Sequence, residues 1–316
     1  MLLAFAAPTV AAFITPAPAL RGSNLVKRST SSSTSSLCMM ARRPMIAGNW
    51  KMNPETVQEA ETLAKAVAAA ASTSPAQVAI MVPYVYLYAA GQIFKGTNVE
   101  LGAESVFFEQ KGAYTEAVSS CQVKSTGAVH CLAGHSEERV IFKADDAWIN
   151  KQVKGILAEG LNPLLCIGES KDEYEGKLNT AVCAVQLSKG LKGVTKEEMK
   201  RVTIAYEPVW AIGTGLTCDP DTAQSVHSFI REWLAKMYDQ MIADNVRILY
   251  GGSVTPETVD DLMTRPDIDG CLVGGTYMYV YACMYVCMYV IYIYAYILIY
   301  TYIYVHILCV CTYSHT

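Results

Sequence analysis

Eight short, almost uniformly apolar runs recur along the chain, at residues 45–47, 78–82, 99–101, 129–133, 163–167, 202–206, 247–250 and 270–273. A strand with one wet face alternates apolar and polar side chains. Runs without that alternation predict strands buried on both faces, as parallel strands covered by helices are. Alanine-rich or amphipathic stretches at 56–71, 147–159, 222–243 and 256–263 supply helices between them. Eight strand–helix repeats in one segment predict an α/β domain, a closed (β/α)8 barrel spanning residues 43–276.

Barrels of this kind build their sites at the C-terminal ends of the strands. The conspicuous polar and glycine residues fall there: Asn49 and Lys51 after the first run, His135 after the fourth, Glu207 after the sixth, Gly251-Gly252-Ser253 after the seventh, and Gly274-Gly275 after the eighth. Each alone has an ordinary alternative, namely a solvated lysine, a structural histidine, a surface acid or a tight turn. Their joint placement is much harder to obtain by chance.

The residue types permit a definite chemistry. Glycines and a serine at the last two strand ends let backbone N–H groups approach an oxyanion, the usual barrel phosphate site. Lys51 would add a fixed positive charge beside that phosphate and any developing enolate. His135, at the start of an expected helix, is disfavoured as an imidazolium and could donate a hydrogen bond to a carbonyl oxygen. Glu207 would remove a proton from the adjacent carbon, and residues 208–214, a Pro-Val-Trp hinge followed by a glycine-rich tip, could close over it and exclude water.

The motifs Gly48-Asn-Trp-Lys-Met-Asn53, Gly134-His-Ser-Glu137, Ala205-Tyr-Glu-Pro-Val-Trp-Ala-Ile-Gly-Thr-Gly215, Tyr250-Gly-Gly-Ser-Val254 and Leu272-Val-Gly-Gly275 together resemble the triosephosphate isomerase family, in unbroken order from Met45 to Gly275. The resemblance implies a TIM barrel that interconverts dihydroxyacetone phosphate and glyceraldehyde 3-phosphate through an enediolate, with no metal and no coenzyme. Carried over by motif, Glu207 is the base, His135 the electrophile and Lys51 the electrostatic stabiliser. Asn49 stands beside Lys51, Glu137 matches an acid near the lysine, and Gly213, Ser253, Gly274 and Gly275 hold the phosphate.

The resemblance also implies a homodimer whose third loop, here residues 107–119 with the tip Gly112-Ala113-Tyr114-Thr115, reaches into a second copy. Beyond the tip the chain departs from the family pattern, with Glu116-Ala117 where Gly-Glu is usual and Glu138 where arginine is usual. Losing both members of that pair removes one polar contact across the interface without stranding a charge.

The two ends are unlike the middle. Residues 1–44 carry five basic side chains and no acid, an apolar alanine-rich start leading into a Ser/Thr/Arg stretch. That is the composition of a targeting presequence over about residues 1–42. Its order resembles the bipartite leaders of algae with secondary plastids, so plastid import is expected; a mitochondrial leader or no import are the alternatives. Residues 277–316 alternate Tyr, Cys or His with Ile, Met, Val, Ala or Thr far beyond strand length. The pattern reads as a translated dinucleotide repeat standing where the family's final helix is expected. A membrane span, or a metal cluster at His306, Cys309 and Cys311, are the weaker readings. A helix burying several large apolar side chains contributes about 1.5–3 kcal/mol for each, so a non-catalytic barrel remnant is the alternative function.

From residue 45 onward 20 basic side chains face 29 acidic ones, a net charge of −9, which argues against a nucleic-acid surface. The 11 cysteines show no Cys-x-x-Cys zinc spacing. Cys131, Cys166 and Cys271 lie in apolar runs, as buried reduced thiols do. A nucleophilic Cys166 is the alternative.

Overall fold

The computed structural model describes residues 42–212, 218–255 and 258–274. The expected leader as far as residue 41, the tail with the position of a final helix, and the loop tip at 213–217 lie outside these residues.

Within them β1 (Met45–Asn49) leads to α1 (Val57–Ala71), β2 (Gln77–Val82) to α2 (Leu87–Phe94), and β3 (Val99–Ala103) to α3 (Ser120–Ser125). β4 (His130–Ala133) leads to α4 (Ser136–Val140) and α5 (Asp146–Ala158), and β5 (Asn162–Ile167) to α6 (Lys171–Glu175), α7 (Asn179–Gly190) and α8 (Lys196–Met199). β6 (Thr203–Tyr206) leads to α9 (Pro220–Met237) and α10 (Gln240–Asn245), and β7 (Arg247–Tyr250) to α11 (Val259–Met263) and β8 (Gly270–Gly274). All eight strands are parallel and join in sequence order into a closed barrel. β8 pairs with β1 from Gly270 opposite Met45 to Gly274 opposite Asn49, so the sheet closes within the described residues.

The unbroken apolar runs have their explanation in two cores. Met45, Ala47, Met81, Leu132, Leu164, Cys166, Leu249 and Leu272 form a cluster made of strand residues, which fills the barrel. Their neighbours along the strands, among them Ile80, Val82, Leu165, Ile167, Ile204 and Ile248, pack outward with helix residues such as Ala64, Ile149, Leu187 and Ile230. Alternate side chains of one strand thus enter different apolar layers.

Strand positions agree with the sequence reading to within two residues. β1 and β3 run two residues further than their apolar cores because the backbones of Gly48-Asn49 and Gly102-Ala103 still pair with neighbouring strands. α1 starts at Val57 because Thr56 caps it: its side chain accepts from the Glu59 N–H while Glu59 accepts from the Thr56 N–H. The single helix expected at 222–243 is two. Tyr238 leaves helical geometry at φ −124°, and the Asp239 side chain accepts the Ile242 N–H to start α10. The helix expected from residue 256 begins at Val259, with 256–257 outside the described residues.

Candidate active site

The site grows from the ends of β1, β4, β6 and β8. Asn49, 3% exposed, ends β1 and accepts the Lys51 N–H on Oδ1 at 2.9 Å. That contact holds Lys51 at φ 55°, in the left-handed region that non-glycine residues seldom occupy. Gly274 lies opposite Asn49 in the β1–β8 register, and a Cβ there would come within 2.8 Å of Lys51 Cε. Absence of a side chain at 274 is what gives the lysine its channel. Lys51 Nζ reaches Glu137 Oε1 at 2.7 Å.

Two residues, Gly134 and His135, join the end of β4 to the start of α4. Gly134, at φ 72°, turns the chain out of the sheet. His135 then caps α4, its Nδ1 accepting the Glu137 N–H at 3.2 Å. A ring nitrogen that accepts carries no proton, so the neutral ring has its proton on Nε2. Nε2 is 3.1 Å from Glu207 Oε1.

Glu207 follows β6 directly and is 2% exposed. Its backbone N–H continues the ladder to Ile167 O at 2.7 Å, so the sheet itself fixes where this side chain emerges. Oε2 accepts the Ser136 N–H at 2.9 Å. Gly251 packs against it, for a Cβ there would lie 2.9 Å from Glu207 Cγ.

Burial alone would raise the pKa of Glu207. The His135 ring, the Ser136 N–H and the Lys51 charge outweigh burial and hold the carboxyl below the ordinary range. Burial likewise pulls the pKa of His135 down, and the charge and hydrogen bond of Glu207 outweigh it, leaving the imidazole above its ordinary value. The helix N-terminus that favours a neutral ring is thus opposed by the adjacent carboxylate. The two buried groups stabilise each other's charged forms for as long as they touch.

The remaining site residues divide. Ser253 follows β7 and its Oγ donates to Ala211 O at 2.8 Å, tying this strand end to the root of the segment after Glu207. Gly213 and Gly275 lie outside the described residues. Glu137 bridges the site, with Oε1 on Lys51 and Oε2 3.5 Å from His135 Nδ1. Cys166 is fully buried and free, and burial pushes its thiol pKa well up, as in a core position. Among the described residues no cluster of His, Cys, Asp or Glu suits a metal ion.

Two acids at strand ends escaped the sequence reading. Glu104 follows β3, and burial above all pushes its carboxyl up to about 8, with Glu137 adding to the shift and His135 and Lys51 opposing it. Its Oε1 is buried and has no hydrogen-bond partner. Glu169, two residues beyond β5 and fully buried, accepts on Oε1 from Tyr206 Oη at 2.9 Å and Trp210 Nε1 at 2.8 Å. Tyr174 stacks on Trp210 with ring centroids 4.0 Å apart. Glu169 thereby grips the chain on both sides of Glu207. The rule of polar residues at C-terminal strand ends would have found both.

A family model described as triosephosphate isomerase matches residues 44–289, running beyond Gly275, where the sequence motifs stop. The triosephosphate isomerase of Carboxydothermus hydrogenoformans is 45% identical over 239 residues, covering 76% of this chain and 95% of that relative. That of Endomicrobium trichonymphae is 45% identical over 235 residues, covering 74% and 93%. That of Geotalea uraniireducens is 44% identical over 234 residues, again covering 74% and 93%. With eight parallel strands closed into a barrel and relatives matched along nearly their whole length, the chain belongs to the triosephosphate isomerase family.

Proposed function

We propose that this chain interconverts dihydroxyacetone phosphate and D-glyceraldehyde 3-phosphate, with Glu207 as the base, His135 as the proton donor to substrate oxygen and Lys51 as the fixed charge. The observation that carries the assignment is the contact between a buried carboxylate and a buried imidazole at 3.1 Å, with a lysine joined to the imidazole through Glu137.

The geometry supports a sequence of steps. Both Glu207 oxygens are engaged, Oε1 by His135 and Oε2 by the Ser136 N–H. Those donors stabilise the carboxylate and weaken it as a base. A triose carbonyl that takes the His135 Nε2–H parts the pair, and movement of the segment after Glu207 draws the carboxylate off Ser136. Freed of two donors and closed off from water, Glu207 is the stronger base. It takes one proton from the carbon beside the carbonyl, leaving an enediolate whose negative charge lies near Lys51. His135 gives its Nε2 proton to the former carbonyl oxygen and takes the hydroxyl proton from the neighbouring oxygen, and Glu207 returns its proton to the neighbouring carbon, which completes the isomerisation with no net oxidation and no external redox partner.

Asn49 orients Lys51, while Gly213, Ser253, Gly274 and Gly275 supply the phosphate site. Their backbone N–H groups suit an anion, since no Cβ at the glycines blocks its approach. No metal and no coenzyme has a part in these steps. The deciding experiment supplies purified protein with glyceraldehyde 3-phosphate and follows dihydroxyacetone phosphate through a coupled dehydrogenase. A folded sample without turnover overturns the reading. No observation favours the non-catalytic alternative.

The same reading includes a homodimer formed through the loop at 107–119. Its support is the exposed apolar side chains after β1, β2 and β4: Met52 is 95% exposed, Val85 76%, Tyr88, in the first turn of α2, 70% and Phe142 77%. Large exposed apolar side chains after three strands of one barrel end suit a protein contact, and sedimentation giving the mass of one chain at micromolar concentration would refute it. Plastid import, resting on the composition of residues 1–42, would place the activity in the Calvin cycle as well as in triose metabolism generally. Retention of a fluorescent fusion in the cytoplasm or its appearance in mitochondria would refute plastid import. Among the described residues no helix is long and apolar enough to cross a membrane.

A further inference from the structure

We propose that Glu138 is a positioning residue for His135, acting through the backbone of Gly134. The chain enters the catalytic histidine through a glycine at φ 72°, a position with unusual freedom to move. Both peptide groups flanking the Gly134 Cα are held by side chains of the helix that follows. Glu138 Oε2 accepts the Gly134 N–H at 2.9 Å, and Arg139 Nε donates to the Gly134 carbonyl at 2.9 Å. Arg139 is itself fixed, to Asp146 Oδ1 at 2.8 Å and to Cys166 O at 3.0 Å.

Glu138 is anchored through its other oxygen. Oε1 accepts from Gln152 Nε2 at 2.6 Å and from Ser105 Oγ at 3.4 Å. Gln152 is 1% exposed and also donates to Val106 O at 2.9 Å and to Ser105 Oγ at 3.1 Å. Its own Oε1 is buried without a partner. The amide thus turns its donor side wholly toward acceptors, and Glu138 is the charged one among them. A carboxylate is required at this point: it meets two sets of donors with two acceptor oxygens.

In the sequence pattern Glu138 stands at one of the two positions where an interface pair is lost. The structure gives it an intrachain task, joining the turn before His135 to α5 and to the segment after β3. An arginine at this position would face the Gly134 and Gln152 donors with further donors, so the glutamate and the present orientation of Gln152 belong together.

The inference rests on His135 as the substrate-polarising residue, and the test separates the two. Glu138→Ala, Glu138→Gln, Gln152→Ala, the Glu138→Ala/Gln152→Ala double variant and His135→Asn are compared with the full chain. Concentrations are chosen so that every sample has the wild-type mass. A displacement of His135 by a fraction of an ångström should lower kcat about 10-fold in Glu138→Ala with KM changed less than about 2-fold. Glu138→Gln, which keeps one acceptor oxygen, should recover part of that loss. The double variant should lose little more than Glu138→Ala alone, because Gln152 acts through Glu138. A merely structural residue would lower the melting temperature and leave kcat per folded site unchanged.

Wild-type kcat and KM in both Glu138 variants, with His135→Asn inactive, overturns the positioning role and leaves the function intact. Full activity of His135→Asn overturns the reading on which the role depends. Should Glu138→Ala not fold, the isosteric Glu138→Gln decides by the same criteria.

Discussion

Replacing Glu104 by glutamine should stabilise the protein, and the gain should depend on pH. Glu104 ends β3 with a buried Oε1 that has no hydrogen-bond partner, and its carboxyl is pushed from an ordinary 4.5 up to about 8. In the fold it is therefore protonated at neutral pH, whereas in the unfolded chain it is ionised. Between those two values the folded state binds more protons than the unfolded one, so this residue's contribution to stability falls as pH rises, at up to about 1.4 kcal/mol per pH unit. Accumulated from the ordinary value to pH 7 the loss is about 3 kcal/mol, and solvent at the partly exposed end of the side chain reduces it to about 2–3 kcal/mol. Glutamine does not titrate and escapes this loss. Urea unfolding of wild type and Glu104→Gln at pH 5, 6, 7 and 8, at one protein concentration, should show a difference that is small at pH 5, widens to pH 8 and then levels off. A difference independent of pH would refute the reasoning, since it would mean that Glu104 has the same proton affinity in both states. A stability loss in the variant at every pH would refute it equally.

Two further substitutions test the site. Glu207→Asp withdraws the carboxylate by one methylene, so kcat should fall by about 100-fold or more with a much smaller change in KM, as measured in the coupled assay; near-normal turnover would remove Glu207 from the role of base. Gly251→Ala places a Cβ 2.9 Å from Glu207 Cγ and 3.1 Å from Tyr206 O, one of them backbone that cannot yield easily. It should lower kcat about 10-fold or more through displacement of the base, while kcat at the wild-type value would show that the glycine is there for the turn alone.

The strands were legible because their signal is local and redundant. A run such as Val78–Val82 must be apolar at every position when one face fills the barrel and the other meets a helix, and eight such runs leave few alternatives. The division of the long helix at Tyr238–Asp239 was missed although Asp239 is a good capping residue. An aspartate inside an amphipathic stretch also reads as an ordinary exposed position, and only the tertiary path shows that the chain turns there.

The site was legible for a different reason, and unevenly. Glu207, His135 and Lys51 stand in distinctive local company, each flanked by glycine, proline or tryptophan that a solvated acid, histidine or lysine would not need. Glu104 and Glu138 have no such company. What distinguishes them lies far along the chain: Gln152, buried and 14 residues from Glu138, and the Lys51, His135 and Glu137 groups around Glu104. An acid after a strand looks the same in sequence whether its neighbour is water or a buried amide, and the cost of burying it is what separates the two cases. The barrel nevertheless restricts where that burial can occur. Three strand ends, β2, β3 and β5, yielded no candidate, and the last two are each followed by an acid whose pKa burial raises, Glu104 and Glu169. Glu169 holds Tyr206 and Trp210 on either side of the base. Charged residues just past a largely apolar strand are thus drawn into the ring of strand ends whether or not they react. Of the two, Glu169 has the contacts that fix the chain on either side of Glu207, and Glu104 shares the charged neighbourhood of His135 and Lys51.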